Sequence, residues 1–298
     1  MIKWIVMDMD GTLLNDENQI DETTLQVLLA QEMEHGVKLI LASGRNYRKL
    51  MRYALELKMD QYHGLLIEAN GLAVFDCKTQ AREKKAQLNK NDCKRILEIA
   101  KTYDLECIAS LDDSLYDYYS EKNRLSKIAY RKAKGYPDDY PLTGGHRDWI
   151  NDNRSGYPFQ YFASCADDFP ESCNKLCLTH FPQRIAEVVD KIKQQLNHEY
   201  EIVCTSPRWI EISPKGISKG TALTTLMSYH HIKKEEVLVF GDGENDISMF
   251  ACAGTAIAMG NAMEIVKNSA DGITLDNNHS GIAYAIENLE HITSKHKI

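Results

Sequence analysis

The sequence predicts an α/β protein with a doubly wound, mostly parallel, Rossmann-like sheet and an inserted second domain. Short apolar runs such as Ile2–Met7, Val37–Ala42 and Val237–Phe240 alternate with amphipathic stretches. Strands that are apolar on both faces are typical of a parallel sheet covered by helices on two sides. The runs end in Gly, Asp, Ser or Asn, so polar loops leave the carboxyl ends of the strands, where such sheets bind their ligands.

Amphipathic stretches between these runs predict the helices. The first is expected to start after Asp21 as its N-cap and to end at Gly36, since Asp satisfies free amides and Gly tolerates the left-handed conformation. Leu65–Ile67 and Thr255–Met259 are expected as further strands. Five more helices are predicted in the outer thirds of the chain: Tyr47–Leu57, Gly220–Tyr229, Asp246–Cys252, Glu264–Ser269 and Ile282–Leu289.

The length of 298 residues predicts two domains, because one hydrophobic core usually stops growing at about this size. The pattern becomes irregular in the middle of the chain, with helices expected near Asp92–Thr102 and Arg184–Leu196. Linkers are predicted near Cys77–Glu83 and Cys204–Arg208. We therefore assign residues 1–82 and 207–298 to one domain, whose sheet neither segment could complete alone, and residues 83–206 to the inserted domain.

Composition excludes several classes of protein. A formal net charge of −8 argues against a nucleic-acid-binding protein, because nucleic acids attract basic surfaces. No apolar run approaches the roughly 18 residues that span a bilayer, and Asp8 and Asp10 interrupt the N-terminal run, which excludes a signal peptide. A cytoplasmic protein without nucleic-acid or membrane partners is expected. Its eight cysteines form no CxxC pair and are expected to be free thiols.

Asp8 and Asp10 follow the first apolar run, in the segment Asp8–Leu14 (DMDGTLL). Carboxylates two residues apart at the end of a strand can face the same crevice. They would repel each other unless a cation lay between them, and oxygen ligands without Cys or His favour Mg²⁺. The alternative is a solvated turn that closes the strand.

Ser43-Gly44-Arg45 follows the second apolar run and opens a predicted helix. A small hydroxyl followed by Gly exposes backbone amides at the positive end of a helix, which suits a phosphate oxygen. The alternative is an ordinary Ser N-cap.

Lys219 opens another predicted helix, in Ser218-Lys219-Gly220. A cation at this end opposes the helix dipole, and a phosphoryl group would compensate for it. The alternative is a solvated surface lysine.

Gly241-Asp242-Gly243-Glu244-Asn245-Asp246 follows the run Val237–Phe240. Carboxylates and an amide crowd a turn at the carboxyl end of a strand, and the pattern lacks the twelve-residue spacing of a calcium-binding loop. The alternative is a structural acidic turn.

These four motifs together resemble the haloacid dehalogenase-like hydrolase superfamily, and within it the Cof-type phosphatases with a large α/β cap. The resemblance covers about Met1–Arg82 and Pro207–Ile298, including Asn70-Gly71, which looks like the family's turn before its hairpin. It implies that the inserted domain is an α/β cap that determines substrate specificity. It also implies Mg²⁺ as cofactor and a phosphoaspartate intermediate.

The resemblance further assigns roles to individual residues. Asp8 would be the nucleophile, ionised at neutral pH without help from a base. Asp10 would be the general acid and base, with a raised pKa. The implied roles of the remaining residues are as follows: Mg²⁺ held by Asp8, the carbonyl of Asp10, and Asp242; phosphate oxygens held by Ser43, Lys219 and the amides near Met9 and Gly44; substrate contact by Asn245; orientation of Lys219 or a metal-bound water by Asp246.

The expected function is Mg²⁺-dependent hydrolysis of small phosphate monoesters. By resemblance, sugar phosphates lead, and flavin mononucleotide and pyridoxal phosphate follow. A phosphomutase would need a bisphosphate activator, and a non-catalytic phospho-ligand sensor would have no use for a proton-transferring Asp10. The sequence leaves the oligomeric state and the identity of the phosphorylated metabolite open.

Overall fold

The computed structural model describes residues 1–196 and 198–294, and the chain divides into two compact units. The first comprises Met1–Lys85 and Ile217–Ile298, and the second comprises Ala86–Gly216. Each unit has its own cluster of buried apolar side chains. Among the described residues, no helix combines the length and apolar character needed to cross a membrane.

The first unit is built on an eight-stranded sheet with the order β16-β15-β14-β1-β2-β3-β4-β5. Strands β16, β15, β14, β1, β2 and β3 pair in parallel with one another. Strand β4 pairs antiparallel with β3, and β5 pairs antiparallel with β4. The predicted doubly wound parallel sheet is confirmed. The strands are β1 Trp4–Met7, β2 Lys38–Ala42, β3 Leu65–Glu68, β4 Ala73–Asp76, β5 Arg82–Lys84, β14 Val237–Gly241, β15 Thr255–Ala258 and β16 Gly272–Ile273.

Strands β1 and β14 are adjacent strands in the interior of this sheet, and both are buried. All four residues of β1 and all five of β14 are buried, as expected for strands covered on both faces. The chain starts at β1, builds β2 to β5 on one side and returns to build β14 to β16 on the other. The strand order therefore reverses beside β1, and such a switch point opens a crevice at the carboxyl ends of the strands.

Helix boundaries in the first unit follow the predicted capping signals. The first helix starts after Asp21, whose side chain accepts a hydrogen bond from the amide of Thr24, and ends at Gly36 with φ of 64°. This confirms the prediction for that helix. The helices of this unit are α1 Glu22–His35, α2 Tyr47–Glu56, α6 Lys219–Tyr229, α7 Ile247–Phe250, α8 Glu264–Lys267, α9 Gly281–Glu287 and α10 Leu289–Ser294.

The second unit contains a six-stranded sheet with the order β12-β13-β11-β7-β8-β9 and a two-stranded sheet formed by β10 and β6. Its main core packs α3 and α5 against one face of the larger sheet. The strands are β6 Leu88–Asn89, β7 Glu106–Ser110, β8 Ser114–Tyr118, β9 Phe159–Phe162, β10 Ser172–Cys173, β11 Lys175–Thr179, β12 Tyr200–Ser206 and β13 Trp209–Pro214. The helices are α3 Lys90–Thr102, α4 Glu121–Ala133 and α5 Pro182–Leu196.

Helix α4 was absent from the sequence prediction, because the face that it buries is polar. Its buried residues are Asn123 and Lys127, whereas Leu125 is exposed, so no apolar stripe marks the helix. Lys127 is fully buried, and its ammonium lies 2.6 Å from Glu106 and donates to the carbonyl of Trp149 at 2.8 Å. A buried ion pair thus replaces the apolar contacts that sequence patterns detect.

The structure also differs from the predicted domain boundaries. The segment 207–216 belongs to the second unit, because β13 pairs with β12 on one side and with β11 on the other. Cys204–Arg208 is therefore the end of β12 and a tight hairpin connection rather than a linker. On the other side, Arg82–Lys84 extends the sheet of the first unit as β5. The boundaries of the two units, at Lys85/Ala86 and at Gly216/Ile217, lie about three and about ten residues beyond the predicted ones.

Glu32 provides a test of stability in the first unit. It lies in α1 with only 3 % of its surface exposed, and burial, with a smaller effect of Asp60, raises its pKa from 4.5 to about 8. Because the folded state holds this proton more tightly than the unfolded chain, the free energy of unfolding falls as the pH rises between these values. We expect Glu32→Gln to stabilise the protein at pH 9 by about 2–4 kcal/mol and to have little effect below pH 4.5.

Urea unfolding of both proteins at pH 4.5 and pH 9 measures this difference. Glu34→Gln, on the exposed side of the same helix, is the matched control and should leave stability unchanged at both pH values. A Glu32→Gln effect of equal size at the two pH values would contradict the assignment.

Candidate active site

Three loops of the first unit meet at one edge of its sheet. Asp8 follows β1, Ser43 follows β2, and Asp242 follows β14. Since β1 pairs in parallel with β2 and with β14, these residues leave adjacent strands on the same side. The register places Met7 beside both Leu41 and Phe240, so the three loops start at nearly the same level of the sheet.

Lys219 is the first residue of α6, and its side chain is fully buried. Its ammonium donates to Oδ1 of Asp8 at 2.5 Å and to Oδ1 of Asp246 at 2.7 Å. Burial alone would lower the pKa of Lys219, but the two carboxylates outweigh it and raise this pKa. The lysine is therefore a buried cation between two acids, and the alternative of a solvated surface lysine is excluded.

Asp8, Asp242 and Asp246 bring carboxylate oxygens within 4.8 Å of one another. Burial raises the pKa of Asp8 to about 7, and the neighbouring Asp246 adds to this although Lys219 opposes it. Burial and the charges of Asp8 and Asp246 also raise the pKa of Asp242 well above its usual value. A bound cation would oppose both shifts by favouring the charged carboxylates, and the ionisation of Asp8 at neutral pH stays a prediction.

Asp246 holds the acidic loop in shape with both of its oxygens. Oδ1 accepts from Lys219, and Oδ2 accepts from the amides of Asp242 and Gly243 at 3.0 Å each. The residue is fully buried. These contacts fix the loop after β14 relative to α6, and so fix the direction in which Asp242 enters the site.

Thr12 and Gly11 support Asp242 from the loop after β1. The Thr12 hydroxyl donates to Oδ1 of Asp242 at 2.8 Å. Gly11 has φ of +82°, and a Cβ at this position would lie 2.5 Å from Oδ2 of Asp242. A side chain here would therefore both strain the backbone and collide with the carboxylate.

Asp10 forms a two-point ion pair with Arg45. Nε of Arg45 donates to Oδ2 of Asp10 at 2.8 Å, and Nη2 contacts Oδ1. The Asp10 side chain remains 31 % exposed. The prediction assigned Asp10 to the metal through its backbone carbonyl, and that assignment stays a prediction.

Ser43 is buried, and its hydroxyl oxygen accepts from the amide of Arg45 at 3.1 Å. This contact leaves the hydroxyl proton available for another acceptor. Gly44 lies between these two residues in the same loop. Met9, next to Asp8, is fully buried, and its carbonyl accepts from the amide of Leu14 at 2.9 Å.

Asn245 lies in the acidic loop, and its side-chain amide donates to Oδ1 of Asn70 at 3.0 Å. Met9, Ser43, Gly44 and Asn245 therefore leave the sheet edge at which Asp8 and Asp242 lie, and Lys219 reaches Asp8 from the start of α6. Sequence reasoning did not assign a role to Thr12, Arg45 or Asn70, although each lies within a motif that it singled out. Their partners come from other loops, and only the strand order brings them together.

The arrangement can hold a small divalent cation and a phosphoryl group. Three carboxylates face one ammonium in a largely buried place, so the group carries excess negative charge when ionised. All of the grouped side chains offer hard oxygen donors, which fit Mg²⁺. The residues present therefore fit the ion that sequence analysis expected.

Comparison with known proteins agrees with this geometry. Over 285 residues the chain is 30% identical to the 5-amino-6-(5-phospho-D-ribitylamino)uracil phosphatase YcsE of Bacillus subtilis, which covers 96% of this chain and 94% of the relative. It is 25% identical to the phosphatase YwpJ of the same organism, with 97% and 100% covered. A crystal structure of a haloacid dehalogenase-like hydrolase from Bacteroides thetaiotaomicron matches with a TM-score of 0.73 and 27% identity over 97% of this chain and all of that one. The sequence profile of the haloacid dehalogenase-like hydrolases matches residues 5–286, and the chain belongs to this family of enzymes.

Proposed function

We propose that this protein is a Mg²⁺-dependent phosphatase that hydrolyses small phosphate monoesters through a phosphoaspartate on Asp8. The observation that carries the proposal is a largely buried group of charges. The Lys219 ammonium bridges Asp8 and Asp246, and a carboxylate oxygen of Asp242 lies within 4.8 Å of oxygens of both acids. The named relatives are phosphatases, which supports the same reaction class.

Asp8 and Asp242 would hold the magnesium ion, with Asp246 close enough to contribute or to orient its ligands. When bound, the ion offsets the negative charges of the nucleophile and the phosphate and favours the ionised carboxylates. The hydrogen bond from Thr12 and the close packing of Gly11 hold the Asp242 carboxylate in the orientation needed to bind the ion.

In the first step, a carboxylate oxygen of Asp8 forms a bond to phosphorus, and the bond from phosphorus to the leaving oxygen breaks. Asp10 gives its proton to that oxygen, so an alcohol leaves. In the second step, Asp10 takes a proton from water, whose oxygen attacks phosphorus. The bond to Asp8 breaks, and inorganic phosphate and the free carboxylate result.

Arg45 affects the proton transfer because its guanidinium holds both oxygens of Asp10. At least one of these contacts must loosen when Asp10 carries a proton toward the leaving oxygen, since a protonated oxygen loses its affinity for the guanidinium. Asp10 is partly exposed, so it can turn toward a bound ester.

The phosphoryl oxygens would be held by Lys219, the Ser43 hydroxyl and the backbone amides near Met9 and Gly44. Lys219 is fixed by two acids and Ser43 by the amide of Arg45, so both groups are oriented before substrate arrives. Phosphoryl transfer depends mainly on such positioning and on charge stabilisation.

We propose a sugar phosphate or a similar phosphorylated metabolite as substrate. The relative YcsE is named for an ester of a ribityl chain, which supports a phosphate on a polyhydroxylated carbon chain. Flavin mononucleotide shares that chain, and pyridoxal phosphate is the further candidate. The proposal also includes a cytoplasmic location and a role for the second unit, Ala86–Gly216, as the cap that determines substrate specificity.

Magnesium binding gives the first test. We expect Mg²⁺ to raise the free energy of unfolding of the wild type by about 2.7 kcal/mol at a hundredfold excess over its Kd. In Asp242→Asn this gain should shrink strongly, because one ligand charge is lost. Asp190→Asn, which changes an exposed carboxylate of the second unit, is the control and should respond like the wild type. Equal stabilisation of all three proteins would contradict the site, and phosphatase activity that survives EDTA would contradict the metal requirement.

Asp8→Asn tests the nucleophile. The amide keeps the shape of the side chain but cannot form the phosphoaspartate, so turnover should fall by roughly 10³-fold or more. Phosphate release from p-nitrophenyl phosphate and from a panel of sugar phosphates measures this, with Asp190→Asn as control. Wild-type rates in a carefully purified Asp8→Asn protein would rule out the assignment. A requirement for bisphosphate activator, or binding without turnover in the wild type, would favour a mutase or a sensor.

Asp10→Asn tests the acid and base. We expect phosphoenzyme to form slowly from an alkyl phosphate and nearly normally from p-nitrophenyl phosphate, because p-nitrophenolate leaves without a proton. Hydrolysis of the phosphoenzyme should be slowed with both substrates, by roughly 10²–10⁴-fold. Rapid acid quench separates the two steps. Equal slowing of phosphoenzyme formation for both esters, or unchanged hydrolysis, would be inconsistent with this role.

A further inference from the structure

A strained turn follows β3 beside the phosphate site. Ala69, Asn70 and Gly71 have φ values of 48°, 57° and 96°, so three consecutive residues lie in the region that favours glycine. Ala69 and Asn70 are also buried. Non-glycine residues in this conformation cost about 1–3 kcal/mol each, and the surrounding structure must hold them there.

The backbone of this turn is bonded to the loop that carries Ser43. The amide of Asn70 donates to the carbonyl of Ser43 at 2.9 Å, and the amide of Ala69 donates to the carbonyl of Arg45 at 3.0 Å. Both bonds depend on the left-handed conformation, which turns consecutive amides toward the loop. The turn therefore fixes the position from which the Ser43 hydroxyl acts.

The side chain of Asn70 reaches a second loop of the site. Its Oδ1 accepts the side-chain amide of Asn245 at 3.0 Å, across 175 positions of sequence. Asn70 is 4 % exposed, so this contact is largely shielded from water. The hydrogen bond fixes the orientation of the Asn245 amide next to the acidic loop.

Gly71 brings the same turn against a third element. A Cβ on Gly71 would lie 2.1 Å from the carbonyl oxygen of Ser218. Ser218 precedes Lys219 and is the N-cap of its helix, accepting a hydrogen bond from the amide of Thr221. The turn thus packs against the segment that presents the buried cation.

We propose that Asn70 is a positioning residue of the phosphate site, which acts through Ser43 and Asn245. The inference rests on the proposed function, and it adds a residue to which the reaction itself assigns no role. The left-handed backbone of Asn70 directs its amide to the carbonyl of Ser43, and its side chain accepts a hydrogen bond that orients the amide of Asn245. Asn suits both tasks, because it tolerates this conformation better than most residues and carries an amide acceptor.

Asn70→Gly tests the side chain, since glycine keeps the backbone conformation and removes the side-chain amide that contacts Asn245. We expect kcat/KM to fall roughly tenfold, less than the hundredfold that a misplacement of about 1 Å can cost. The KM should rise more than kcat falls, because the phosphate contacts loosen. The matched control is Asn18→Gly, which removes the same side chain at another left-handed position, with φ of 59°, and should leave both constants unchanged.

A double-mutant cycle identifies the path. If Asn70 acts through Asn245, then Asn70→Gly combined with Asn245→Ala should lose no more activity than the worse single variant. If the double variant's loss of activity equals the product of the two single losses, Asn70 does not act through Asn245. Wild-type constants in Asn70→Gly would show that the asparagine side chain positions nothing in the site, and would overturn the role proposed for Asn70.

Calorimetric titration with inorganic phosphate in the presence of Mg²⁺ needs no turnover. Asn70→Gly should bind phosphate about tenfold more weakly than the wild type and Asn18→Gly. Unchanged affinity in Asn70→Gly would overturn the inference even if the wild type is an active phosphatase. A wild type that hydrolyses no ester, but whose phosphate affinity still depends on Asn70, would contradict the proposed function and support the positioning role.

Discussion

The repulsion among Asp8, Asp242 and Asp246 is the constraint on which the rest of the site depends. Their oxygens lie within 4.8 Å of one another in a place with little water, which raises the pKa of Asp8 and of Asp242. Lys219 balances part of that charge, and Asp246 is committed to Lys219 and to two backbone amides. Asp8 and Asp246 share this one ammonium, so the three carboxylates together keep an excess of negative charge when they are ionised. A rigid sheet edge is what keeps such groups together.

The sheet and the gathering of the motifs could be predicted because both depend on local patterns. Strands β1 and β14 are apolar on both faces, which indicates a covered parallel sheet before any contact is known. In such a sheet the carboxyl ends share one edge, so polar residues after Val6-Met7 and after Val239-Phe240 had to come close. The boundaries of α1 followed in the same way from Asp21 and Gly36.

Features that depend on long-range electrostatics could not be predicted. The pKa of Asp8 follows from burial among other charges, which no local pattern reports. The pairing of Asp10 with Arg45 joins two loops and required the strand order. Helix α4 buries Lys127 against Glu106, so the rule that helices bury apolar stripes fails there. The domain boundary was misplaced for a related reason, since the pairing partners of β13 lie within the inserted unit.

The division of the first unit into two chain segments has a consequence for folding. Trp4 in β1 pairs with Val237 in β14, and all of the second unit lies between them in sequence. During synthesis, β1 leaves the ribosome long before β14 exists, and its apolar edge has only β2 to pair with. The second unit, which is continuous and has its own core, can form first. Strand β1 therefore lacks one of its two neighbours until nearly the whole chain has been made, and its unpaired apolar edge is exposed to other nascent chains during that time.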